Sequence, residues 1–168
     1  MNLTSTRRTF ALRFGSLLPA LGLTAAVPMR GLAQSSAQDA NAIRKLNAEG
    51  QPGSEKDVIM PVIVHNGLIY VSGQGAHDTR DQKEWTIESH TTMVMDKLKK
   101  LVEVGGGTVD SILQTNVFLV KIEHWEAMTK VFGSYFPHGG PARTTVAVAA
   151  LPGDSLVEIN CIAAVTRK

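Results

Sequence analysis

One cysteine, Cys161, is all that the chain carries, so no intrachain disulfide can form in any compartment. Its neighbours Ile159, Ile162 and Ala163 mark a buried structural thiol, because a reactive one needs an exposed, electropositive setting. Long apolar runs are missing too. The longest, Phe14 to Met29, is broken by Pro19 and Pro28 and falls short of the roughly 20 residues that span a bilayer. Without runs of Lys or Arg there is no electrostatic footprint for nucleic acid. The five histidines (His65, His77, His90, His124, His138) show neither a helical i, i+4 pair nor a Cys partner, so no metal site is expected. His77-Asp78 is an isolated pair on a loop. No serine lies in a G-x-S-x-G elbow, and Ser72-Gly73-Gln74 has no local base. Gly105-Gly106-Gly107 follows a helical pattern instead of preceding one, which excludes a phosphate loop, and no dinucleotide fingerprint opens a helix. Metal hydrolase, serine hydrolase and dehydrogenase chemistry are set aside on these absences.

What is present begins with a targeting segment. Arg7-Arg8 followed by Phe10, the modest apolar run, and Gly31-Leu32-Ala33 read as a twin-arginine (Tat) export signal over residues 1–33, cut after Ala33. That segment holds Arg7, Arg8, Arg13 and Arg30 and no acid, so a chain of +2 becomes a mature chain with 13 basic and 15 acidic residues, a balance of −2. The expected location is periplasmic or secreted. Residues 34–56, rich in Ser, Ala, Asn, Gln and Gly, read as a flexible mature N-terminus with a helical turn near Asn41 to Leu46. Residues 57–168 form one domain.

Periodicity places its elements. Val58 to Val64 is a strand that Pro61 confines to an edge or breaks; Asn66-Gly67 signals a two-residue hairpin into Leu68–Gly75. Thr86 or a neighbour caps a helix whose stripe is Ile87, Thr91, Val94, Leu98, Leu101 and Val102, ended by the three glycines. Ile112 to Ile122 reads as a central strand covered on both faces, with Leu113, Thr115, Val117 and Leu119 on one of them. His124 to Phe136 is a second helix with a Trp125, Met128, Phe132, Tyr135/Phe136 stripe, stopped by Pro137. The final stretch, Gly139 to Ala163, reads as two alternating strands joined by a tight turn at Pro152-Gly153-Asp154. The order β-β-α-β-α-β-β is an α+β layout: a mixed sheet with two helices on one face, whose other face calls for self-association. Arg143 stands at the mouth of the first of these last strands, and Glu158 sits on the second. One fixed cation and one strand-borne carboxylate mark a small-molecule site.

Ile69-Tyr70-Val71-Ser72-Gly73-Gln74, Asn116-Val117-Phe118, Pro141-Ala142-Arg143-Thr144-Thr145, Leu151-Pro152 and Val157-Glu158-Ile159 resemble the Rid family (reactive intermediate deaminases, also called YjgF) in order and spacing, over roughly Val58 to Arg167. The resemblance implies a chorismate-mutase-like α+β fold and a homotrimer with clefts between subunits. It also implies a 2-iminobutanoate/2-iminopropanoate deaminase-type hydrolase that needs no metal or organic cofactor, turning 2-imino acids into 2-keto acids and ammonia. On that basis Arg143 clamps the substrate carboxylate, Glu158 handles the water's proton, and Ser72 lines the cleft. Thr145 stands where many members have Cys and can donate a hydrogen bond. The chain departs from the family near Ile59, a candidate substrate-binding position that falls where members carry an active-site Tyr, which leaves the imine end of the site less polar and sets the chain apart from the standard substrate range. The alternative in another class is a trimeric small-molecule-binding or chaperone-like module with little turnover. Endoribonuclease activity, an older label for the family, is disfavoured by the −2 balance. The expected partner is a small imino acid or enamine, with no nucleic acid and no stable membrane association once the signal is cut.

Overall fold

The structure, a computed structural model, describes residues 42–77 and 85–166. The export segment, the start of the 34–56 stretch and most of the loop after Ala76 lie outside the described residues. In chain order the elements are β1 (Arg44–Leu46), β2 (Val62–His65), β3 (Leu68–Gly75), α1 (Ile87–Gly105), β4 (Ile112–Leu119), α2 (Trp125–Ser134), β5 (Ala142–Ala147) and β6 (Val157–Ala164). The strands make one sheet in the order β1-β2-β3-β6-β4-β5, antiparallel throughout except for the parallel β4–β5 pair. Both helices lie on one face. The α+β class read from the sequence is the one observed.

Local chemistry explains the elements. Asn66 and Gly67 take φ of 51° and 75°, the left-handed pair that a two-residue hairpin requires, and they set His65 opposite Leu68. Thr86 caps α1: its hydroxyl accepts the Ser89 N–H at 3.2 Å, and the Ser89 hydroxyl accepts the Thr86 N–H at 3.2 Å. The expected stripe is buried from Ile87 to Val102, joined by His90 and Met95, and packs across β2, β3 and β6. Gly106, at φ 94°, ends the helix by returning its N–H to Glu103 and Val102. Against this layer stand Val62, Ile69, Val71, Val117, Leu119, Val157, Ile159 and Cys161, the alternate residues of the strands. Burial pushes the Cys161 thiol up to about 12, which keeps it inert.

Several expectations are corrected. Arg44–Leu46 is a strand, not a helical turn in a flexible tail. The Asn47 side chain accepts N–H groups from Glu49 and Gln51, turning the chain back so that Leu46 pairs with Val62 and enters the core. The order is therefore β-β-β-α-β-α-β-β, and β1, not β2, is the edge. Pro61 breaks its segment: pairing starts only at Val62. The two last strands are not a hairpin. β4 lies between β5 and β6, hydrogen-bonded to both, and the Pro152–Asp154 turn belongs to a crossover past its end. Alternation along each strand is blind to what lies between them. A bulge in β4 shifts register between Ile112 and Gln114, which turns Ile112 inward and leaves Leu113 half exposed. Asn116 and Phe118 lie on the open face, so this strand is covered on one side by its own chain. The second helix starts as a 3₁₀ turn, Ile122–His124, and Trp125 stays 44% exposed while Met128, Phe132 and Phe136 are buried.

Candidate functional site

Register decides which side chains can meet. Across the sheet Thr115 pairs with both Arg143 and Cys161, and Val117 pairs with both Thr145 and Ile159. Cys161, Thr115, Val117 and Ile159 are all buried against the helices, so Arg143 and Thr145 point to the helix face. There the Arg143 guanidinium donates from Nη2 to the Thr129 hydroxyl at 3.1 Å and lies 4.9 Å above the Phe132 ring. Phe132 is itself backed by Phe136 at 4.9 Å. Partial burial lowers the Arg143 pKa from its usual value without removing the charge. The Thr145 hydroxyl is buried with no hydrogen-bond partner. Thr145 as a residue lines a cleft of about 420 Å³ with Ile122, Glu123, Trp125 and Glu126, at the start of α2.

Glu158 is on the other face. It pairs with Phe118 on β4 and Gly75 on β3, in the row that holds Asn116 and Asn160, whose side chains join at 3.0 Å. The ladder between β3 and β6 slips between Val71 and Gln74, so Ser72 and Gly73 together oppose Asn160. This bulge brings the Glu158 carboxylate over Gly73, where any Cβ would overlap it. Ser72 gives its N–H to Pro61 O at 3.1 Å, and its hydroxyl accepts Gln74 Nε2 at 3.2 Å. Ile59 is 75% exposed in the segment before β2.

A single chain thus gathers Glu158 and Ser72 around the β3 bulge, and Arg143 and Thr145 beside α2. It does not bring the two groups together: they occupy opposite faces and are two strands apart, on the order of 10 Å in the sheet plane. Sequence reasoning missed Thr129 and Phe132, which hold Arg143, because one helical turn of a stripe looks the same whether it meets a strand or a guanidinium. It also passed over Gly73, although a glycine inside a strand is a known mark of a bulge or a close approach. Among the described residues no group of three His, Cys, Asp or Glu could hold a metal ion.

The model of the Endoribonuclease L-PSP family matches residues 58–165. The chain belongs to that family. Among Endoribonuclease L-PSP relatives, the mitochondrial protein mmf2 of Schizosaccharomyces pombe is 36% identical over 101 residues, 58% of this chain and 80% of the relative. Reactive Intermediate Deaminase A of Arabidopsis thaliana, a chloroplastic protein, is 29% identical over 100 residues, 58% of this chain and 54% of the relative. The crystal structure of YyfA from Yersinia pestis, a protein of the Rid family, superposes with a TM-score of 0.65 at 33% identity and covers 74% of this chain and all of that one.

Proposed function

We propose that this Endoribonuclease L-PSP family member hydrolyses 2-imino acids, such as 2-iminopropanoate and 2-iminobutanoate, to 2-keto acids and ammonia. The site is shared between copies of the chain in a homotrimer: Arg143 comes from one copy and Glu158 from another. The observation that carries this reading is the held guanidinium of Arg143. Thr129 and Phe132 fix its plane with a single hydrogen bond, which leaves most of its five N–H donors for a planar carboxylate. Membership of a family with a relative named as a reactive intermediate deaminase agrees with it.

In this scheme Arg143 grips the carboxylate and the unpartnered Thr145 hydroxyl donates to a substrate oxygen. Glu158 takes a proton as water adds to the imine carbon, and ammonia leaves as the carbinolamine collapses to the ketone. Ser72 and Ile59 line the substrate. No metal or organic cofactor takes part.

The test follows ammonia release from 2-iminopropanoate, made in situ from L-alanine by an oxidase, with the full chain and its Arg143→Ala variant. Loss of a single clamp of this kind is expected to lower kcat/KM by about 10²-fold or more. Equality of both proteins with the buffer blank, for this and other imino acids, rejects the reading. The binding module with little turnover then takes its place; the exposed Ile59, where members of the family carry an active-site Tyr, is the observation that favours it. RNA cleavage has no comparable support, since the residues after 33 hold 13 cations against 15 anions.

We also propose that residues 1–33 direct export by the twin-arginine route, so that the substrate is an imine formed outside the cytoplasm by an amine or amino-acid oxidase. Recovery of the uncut chain from the cytoplasmic fraction alone would refute this.

A further inference from the structure

The isolated His77 of the sequence comes to the Glu158 end of β3 in the fold. Its ring packs between two glycines distant in sequence. A Cβ on Gly75 would stand 2.7 Å from His77 Nε2, and one on Gly153 would stand 2.6 Å from Nδ1. A Cβ at either place would push the imidazole out of this position. Gly75 is the register partner of Glu158, and two residues before it Gly73 carries the Glu158 carboxylate. Imidazole and carboxylate therefore cover alternate residues of one strand face, positions whose backbones stand about 7 Å apart in an extended strand. The half-buried ring has its Nδ1 enclosed over Gly153 without a hydrogen-bond partner. Nε2 lies over Gly75, the register partner of Glu158.

We propose that His77 is the second proton-handling group of the Glu158 site, a role that rests on the deaminase reading above. Water adds to the imine carbon, forming the C–O bond, as Glu158 takes one of its protons. The imine nitrogen receives a proton from His77 Nε2 as the C=N double bond becomes single. The amine then takes the proton held by Glu158, the C–N bond breaks, and ammonia leaves. The hydroxyl proton passes to His77 as the ketone forms, so both groups end as they began. A carboxylate alone would have to both accept and deliver every proton; the pair divides the work.

The experiment compares the full chain with His77→Gln and His77→Ala by imino acid turnover. It also follows the His77 ring resonances by NMR during addition of pyruvate, a product of the proposed reaction. The expected result is a fall in kcat of about 10²-fold in both variants with KM little changed, partial recovery of His77→Ala by free imidazole, and a pyruvate-dependent shift of the His77 ring in the unmodified chain. Rescue by imidazole separates a lost proton carrier from a damaged fold. Unchanged kcat in both variants, or a loss that imidazole does not restore together with ring resonances indifferent to pyruvate, overturns the role of His77. Absence of turnover in the unmodified chain rejects the deaminase reading instead. The His77 step falls with it, and a ring shift in that case reports only a ligand-contacting histidine.

Discussion

A methyl group on Gly73 would occupy the volume now filled by the Glu158 carboxylate. The backbone there is ordinary and the displaced group is the end of a flexible side chain, so Gly73→Ala should leave stability within about 0.5 kcal/mol while moving the carboxylate. Displacement of a reacting group by an ångström is expected to lower kcat/KM by about 10²-fold at nearly unchanged melting temperature, read by turnover and calorimetry on one preparation. His90 makes the opposite kind of contribution. It is buried, its Nδ1 accepts the Leu156 N–H at 3.0 Å, and the Trp85 ring stands edge-on at 4.4 Å. Desolvation lowers its pKa from 6.5, so the folded chain holds it neutral while the unfolded chain protonates it more readily. The stability this gives is complete above pH 6.5 and is lost progressively as pH falls from there toward the folded-state value. His90→Gln should flatten that part of the stability–pH curve, measured by urea midpoints between pH 5 and 7.5; an unaltered slope would show that the acid loss arises elsewhere.

Among the elements, α1 is the one that the rest of the domain leans on. Its cap, stripe and terminating glycine were all legible in the sequence, because a 19-residue helix repeats its signal over five turns. Leu98 is fully buried near its middle, and Leu98→Ala should cost about 2–5 kcal/mol, visible as a lower denaturant midpoint. Short elements were not legible in this way. β1 has three residues, Arg44 to Leu46, too few for alternation to register, and it exists because the Asn47 turn delivers an edge to β2. The β4 bulge reversed the facing of Leu113 and Ile112 for a related reason: one inserted residue flips a period-two pattern without changing composition.

For the whole molecule the decisive fact is that Arg143 and Glu158 lie on opposite faces of one sheet. The face without helices carries Tyr70, Leu113, Phe118, Val146 and Ile162 among Asn116, Thr144, Glu158 and Asn160. A site shared between copies makes a direct prediction. Arg143→Ala and Glu158→Gln, each inactive alone, should regain turnover when unfolded and refolded together, because in a 1:1 mixture about a quarter of the sites would combine an intact Arg143 with an intact Glu158. Mixed preparations as inactive as their parents would place both residues in one copy's site or remove one of them from the chemistry.

The sequence by itself determined the α+β class, the cap and stripe of α1, the Asn66-Gly67 hairpin and the buried thiol, since each depends on neighbours within a few positions. Tertiary structure alone decided that β4 separates β5 from β6, that Thr129 and Phe132 hold Arg143, and that His77 and Glu158 share the glycine-lined face of β3. Those relations join residues from 11 to 81 positions apart. Hydrogen-bond register across the sheet sets them, and no pattern within a single strand encodes which strand lies beside it.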